Sequence, residues 1–185
     1  MKKNKKKLLV ILLALLIVLG GGYLFYAKYA DHTEPDQALP AQTQDKTPLS
    51  DFTVYDADHN EFASANLKGK PAVINFWATW CPPCCAELPD FNSAYEQYGN
   101  DVQFVMVNLT DGERETEAGV RAFLEENGYT FPVYYDLRAD ASYAYAVNSI
   151  PFSVFVDQDG NVYTTHLGML SASELYSTIE ALLKA

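Results

Sequence analysis

The chain has 185 residues, 49% hydrophobic and 20% charged, which is enough for one globular domain and an accessory segment. Its net charge is −11, and from Thr47 onward six basic residues stand against twenty acidic ones, a net −14. A surface of that sign repels phosphate backbones, so nucleic acid is not an expected partner, and the acids fit a soluble extracellular face.

The N-terminus reads as a membrane signal. Lys2, Lys3, Lys5, Lys6 and Lys7 precede an uncharged run from Leu8 to Ala27. That run has twenty residues, and about twenty suffice to cross a hydrocarbon core as a helix. Tyr23, Tyr26 and Tyr29 suit the outer interface, and the lysines hold the start of the chain in the cytoplasm. One transmembrane helix is therefore expected in residues 1–30, with everything after it outside. A cleaved signal is the competing reading, although no small-x-small pair sits cleanly at an exit point. No cysteine lies here, which excludes a lipid anchor on cysteine. Residues 31–46 are polar, carry Pro35 and Pro40, show no period and read as a flexible linker.

A domain is expected over 47–185, with no internal repeat. The stretch DFTVYDADHNEF alternates and turns as a short hairpin would. SANLKGK fits a helical turn ending at Gly69, and PAVINFWA is a buried run of strand length. CPPCCAELPDFNSAYEQYG reads as a helix with Pro83 in its first turn and Gly99 at its end. VQFVMVNLT is a second buried strand; ERETEAGVRAFLEENG is a helix stopped by Gly128; FPVYYD is a strand and DASYAYAV a short helix. PFSVFVD, the turn QDGN and VYTTHLG form a hairpin, and SASELYSTIEALLK closes the chain as a helix capped by Ser171 or Ser173. Strands alternating with helices and ending in a hairpin predict an α/β fold with a mixed sheet between helices.

All three cysteines lie in one stretch: Cys81, Cys84 and Cys85. Cys81 and Cys84 have Cys-x-x-Cys spacing; Cys81 and Cys85 have Cys-x-x-x-Cys spacing. The first suits thiol–disulfide chemistry, the second a metal carrier. A thiol attacks a disulfide only as the thiolate. Cys81 falls after a strand and before a helix, where unpaired N–H groups and the helix dipole favour the anion. Cys84, one turn on, is near enough to close a small ring and resolve a mixed disulfide. Pro82 and Pro83 stiffen that turn and remove two donors. A zinc site would need partners among Cys85, His32, His59 and His166, and no second pair at finger spacing exists. Clustered cysteines outside a membrane favour redox work, so no metal or other cofactor is expected beyond the cysteine pair itself.

FWATWCPPC after a buried strand, Pro89 beyond it and SIPFSVFVD far downstream resemble the thioredoxin superfamily. DFTVYDADHNEF with LKGKPAVINFWATWCPPC is similar to the membrane-anchored TlpA/ResA-type members. The resemblance covers nearly all of Thr47 to Ala185. It implies a thioredoxin-like fold with an N-terminal β-hairpin and a central helix–strand insertion, roughly Glu113 to Tyr135. It also implies roles: Cys81 attacks, Cys84 resolves, and Trp80, Pro82, Pro83, Ile150 and Pro151 border the bound substrate, with Ile150-Pro151 as the cis-proline loop. Glu87, three residues after Cys84 on one helix face, matches a carboxylate that helps move a proton to or from Cys84. Asn75 stands where thioredoxin itself has a buried aspartate. Cys85 departs from the Lys or Arg common at that position, which removes a positive charge and adds a thiol.

The function expected is an extracytoplasmic, membrane-anchored thiol–disulfide oxidoreductase acting on exported client proteins, with a membrane protein as electron donor and cytochrome c maturation as one pathway. The alternative is a thioredoxin-like copper chaperone using Cys81, Cys85 and His166. A peroxidase would want a threonine where Ala78 stands. Asn108-Leu109-Thr110 matches a glycosylation sequon at a strand end, which reads as chance.

Overall fold

The run AVINFW is apolar at five of its six positions and becomes a strand buried on both sides. It lies near the middle of the fold. The computed structural model describes residues 46–185; the expected anchor, and the linker up to Asp45, lie outside the described residues. The strands are β1 (Thr47–Pro48), β2 (Thr53–Tyr55), β3 (Glu61–Ala63), β4 (Ala72–Trp77), β5 (Gln103–Asn108), β6 (Val133–Tyr135), β7 (Phe152–Val156) and β8 (Asn161–Leu167). The helices are α1 (Pro82–Tyr98), α2 (Glu117–Asn127), α3 (Asp140–Ala144) and α4 (Ala172–Leu182), with a 3-10 turn at Ser64–Leu67. Among the described residues no helix is long and apolar enough to cross a membrane.

One mixed sheet holds the strands in the order β1-β8-β7-β4-β5-β6-β2-β3. β4, β5 and β6 run parallel, joined by α1 and α2, while β7 and β8 are antiparallel. The expected hairpin is β2–β3, attached to β6 at Tyr55 opposite Tyr135. Asp56 shapes its turn by accepting from the N–H groups of Asp58 and Asn60.

Strand alternation sorts the core into two layers. Val73 and Trp77 of β4, Phe104 and Met106 of β5, and Phe155 of β7 pack beneath α1, α2 and α4, with Leu88, Phe91, Val120, Leu175 and Ile179. Ala72, Ile74, Phe76, Val105, Val107, Val154 and Val156 point the other way, toward Phe52, Val54, Leu67 and Ala141. Asn75, Asn108 and Ser153 share the parity of the first layer, so three polar side chains are buried on the α1 side.

Several boundaries differ from expectation. The second helix begins at Glu117, not Glu113. The Asp111 carboxylate accepts from the N–H groups of Glu113 and Glu115 and turns the chain, and Thr116 then caps α2. α3 ends at Ala144 because Ala146 adopts φ 47°, and Val147 N–H returns to Ser142 O. Gly99 ends α1 in ordinary right-handed geometry; a side chain there would meet the Tyr95 carbonyl oxygen at 2.6 Å. Gly128 ends α2 left-handed, at φ 67°. Ser171 is the α4 cap, in a capping box with Glu174.

Candidate active site

β4 ends at Trp77, and the chain turns through Ala78, Thr79 and Trp80 into α1. Cys81 is the helix cap, extended at φ −99°. Pro82 and Pro83 follow where an N–H would have no partner in the helix, so they start it without loss. The Cys84 N–H donates to Cys81 Sγ at 3.3 Å. On reduction that bond and the helix dipole favour the Cys81 thiolate. Cys81 and Cys84 are joined as a disulfide, with Cα atoms 5.2 Å apart.

The Ile150-Pro151 peptide is cis and precedes β7. Ile150 O lies 3.7 Å from Cys81 Sγ. An open groove of about 500 Å³ passes the sulfur, lined by Trp80, Cys81, Pro82, Pro83, Leu109, Arg114, Val147, Asn148, Ser149 and Ile150. The expected residues Trp80, Pro82, Pro83 and Ile150 therefore meet at Cys81, while Pro151 is buried behind them. Cys84 has no exposed surface and does not line the groove. The two sulfurs are thus unequal: one borders the groove, the other is sealed beneath it.

Comparison with known proteins agrees with that geometry. The Redoxin profile matches residues 42–183. The chain belongs to the Redoxin family. It is 32% identical over 138 residues to sporulation thiol-disulfide oxidoreductase A of Bacillus subtilis, covering 73% of this chain and 82% of that one. It is 29% identical over 162 residues to the thiol-disulfide oxidoreductase ResA of Geobacillus thermodenitrificans, covering 87% of each. The crystal structure of the pneumococcal exposed lipoprotein thioredoxin Etrx1 from Streptococcus pneumoniae superposes with a TM-score of 0.63 at 28% identity, over 72% of this chain and 100% of that one. This redoxin has the thioredoxin-like α/β fold and is a thiol–disulfide oxidoreductase of the ResA/StoA type.

On the same helix as Cys84, this redoxin buries a carboxyl group. Glu87 is 1% exposed, on α1 one turn after Cys84. Its Oε1 accepts from Asn75 Nδ2 at 2.9 Å and its Oε2 from Leu170 N–H at 2.8 Å. Asn75 Nδ2 also donates to Ser153 Oγ at 3.0 Å, and its own Oδ1 has no partner among the described residues. Burial pushes the Glu87 carboxyl up to about 7, against the two donors, which hold it down. A group with that value takes or gives a proton near neutral pH.

Two residues near the site were not singled out by sequence reasoning. Glu115 is 1% exposed and accepts from Thr79 N–H (2.7 Å), Thr79 Oγ (2.6 Å) and Asn108 Nδ2 (2.6 Å). It pins the turn before Cys81 to the end of β5. Nothing local marks it, because it sits in a charged run, DGERETE, that has helical composition. Arg114, beside it, holds its guanidinium over the Trp80 ring, 3.9 Å from the centroid.

Cys85 does not join the pair. Its Sγ donates to Thr79 O at 3.2 Å. Burial, and then the Glu115 charge, push its thiol up. The set proposed for copper is not assembled: among the described residues no group of three His, Cys, Asp or Glu side chains is placed to hold a metal. His166 sits on β8 opposite Ser153, and His59 pairs with Glu117 at 3.2 Å. Asn108 is fully buried with its amide on Glu115, so the sequon is inaccessible in the folded domain.

Proposed function

We propose that the protein is a single-pass, membrane-anchored reductase of exported client proteins. In this reading residues 1–30 are the anchor, 31–46 the linker and 47–185 the catalytic domain outside the cell membrane. The observation that carries it is the inequality of the two cysteines: Cys81, 3% exposed, lines the groove, whereas Cys84, 0% exposed, does not. The Cys81 thiolate attacks a client disulfide, and one client sulfur leaves as thiolate and takes a proton. The Cys84 thiol then loses its proton, in this reading to Glu87, and attacks Cys81 Sγ. The client departs as a dithiol, and the Cys81–Cys84 disulfide re-forms. Trp80, Pro82, Pro83 and Ile150 form the docking edge, and Pro151 supports it from behind. A membrane electron donor returns the pair to the dithiol. Apocytochromes awaiting haem are among the clients that this class serves, and the named relatives support the reaction type.

The decisive experiment compares variants of the full chain in its membrane. Cys84→Ser traps clients as mixed disulfides, because attack persists and resolution is lost. Cys81→Ser traps none. Trapping by Cys81→Ser instead, or release of the chain by a carbonate wash, would overturn the sulfur roles or the anchor respectively.

A further inference from the structure

The groove beside Cys81 contains one charged side chain, Arg114, and nine uncharged residues. We propose that Arg114 is a specificity-determining residue, selecting client disulfides whose cysteine is flanked by an acidic side chain. The inference rests on the client-reductase reading above and adds the substrate class.

Three observations carry it. The guanidinium carbon sits over the Trp80 ring, 3.9 Å from its centroid, and Trp80 immediately precedes Cys81. Contact with a ring face uses none of the guanidinium's five N–H donors in a hydrogen bond to oxygen, so they remain for a carboxylate. Second, Arg114 has no ion pair among the described residues. Its acidic neighbours are engaged elsewhere: Asp111 on the N–H groups of Glu113 and Glu115, and Glu115 inward on Thr79 and Asn108. Glu113 is exposed and does not line the groove. Third, the backbone on both sides of Arg114 is held by those same bonds, so little ordering is needed when a ligand arrives. The domain as a whole is strongly acidic, but exposed charges beyond about 8 Å are largely screened at physiological salt. A client carboxylate at contact distance meets the guanidinium first.

The test uses the reduced full chain in detergent and short peptide disulfides with Glu, Gln or Lys next to the cysteine. A further set carries the same charges several residues away. Each rate is divided by that of the same peptide with dithiothreitol, which removes differences in intrinsic thiol reactivity. The wild type is expected to favour adjacent Glu over Gln by roughly five-fold, the size of one exposed ion pair, and less so as salt rises. Distal Glu gives no preference. R114Q brings the Glu-to-Gln ratio to about one, R114E inverts it, and R114K retains most of it. A ratio that survives R114Q, or an R114Q variant slowed equally with all peptides, would overturn the inference. The second result would make Arg114 only a prop for Trp80. No exchange with any peptide, while dithiothreitol still cycles the disulfide, would strike the client reading itself.

Discussion

The two faces of the central sheet are buried alike and differ in chemistry. On the face toward α3, β4, β5 and β7 present Ala72, Ile74, Phe76, Val105, Val107, Val154 and Val156, all apolar. Its polar groups hold backbone: Ser64 accepts from Phe52 N–H across the β2–β3 hairpin, and Asp136 accepts from the Ala141 and Ser142 N–H groups in α3. On the face toward α1, the same strands place Asn75, Asn108 and Ser153 among the apolar residues. These bond across elements, Asn75 to Glu87 and Ser153, and Asn108 to Glu115. A buried polar group costs about 1–3 kcal/mol when unpaired and returns little net when paired. An apolar face is therefore the cheaper solution. The polar residues gather on the face that carries the disulfide, which points to chemistry and not to packing as their cause.

Substitutions on the two faces should then fail differently. Phe76→Ala, on the apolar face, removes a fully buried ring packed between Tyr145 at 5.7 Å and Phe152 at 5.9 Å. It is expected to cost about 4 kcal/mol in urea denaturation of the oxidised protein, while the exchange rate of the molecules that remain folded changes little. A loss below about 1 kcal/mol would mean that the site collapses around the gap. Glu115→Ala, on the polar face, strands Thr79 N–H, Thr79 Oγ and Asn108 Nδ2. The expected cost is about 3 kcal/mol, and here exchange slows as well, because the turn before Cys81 loses its tie to β5. Stability lost without any change in exchange would put Glu115 with the packing residues.

Glu87 should respond with the opposite sign. Its folded value, about 7, lies above the ordinary carboxylate range. The folded state therefore holds its proton more tightly than the unfolded state does. Stability is complete below the unfolded value, falls as pH rises toward 7, and is flat above that. The carboxyls held low, Asp56, Asp111, Asp157 and Glu174, act at more acid pH. Histidine also changes charge between pH 5 and 8, so the Glu87 part is read as the difference between the wild type and Glu87→Gln across that window. From Glu87 the wild type should lose at most about 3 kcal/mol across it, and Glu87→Gln should abolish that part of the slope and be the more stable protein at pH 8. The same variant should slow resolution of mixed disulfides. An unchanged slope in Glu87→Gln would show that the proton resides elsewhere.

How much of this was legible follows the same division. The apolar face reads directly from AVINFW, VQFVMVN and PFSVFVD, because burial on both sides gives nearly continuous apolar runs. The disulfide pair, the helix start at Pro82 and the hairpins are likewise local signals. Asn75 and Glu87 each stand out in the sequence, but their bond joins positions 12 apart, and the Leu170 partner lies 83 residues from Glu87. Glu115 looked like one acid in a helix. Its burial depends on Thr79, 36 residues earlier, and no periodicity encodes that.

The smallest effect is expected at Cys85, and it separates the third thiol from the working pair. The residue after Cys84 is rotated by about 100° around the helix, which turns it from the disulfide ring. Its thiol donates instead to the Thr79 carbonyl, within a half-buried site bounded by Glu115. A serine at this position keeps a donor for that carbonyl, so Cys85→Ser should change stability by no more than about 1 kcal/mol and retain exchange. The raised thiol gives a sharper readout. In the oxidised protein at pH 7.5, Cys85 should react with iodoacetamide more slowly than an unhindered thiol, because the thiolate is the reactive form and burial and Glu115 disfavour it. Unfolding in denaturant should restore the ordinary rate. Removing the neighbouring charge with Glu115→Gln should speed labelling in the folded protein, since the second cause of the raised value is gone. If Cys85 labels as fast folded as unfolded, the thiol is open to solvent. It could then compete with Cys84 for Cys81, and the division between a working pair and a passive third thiol would fail.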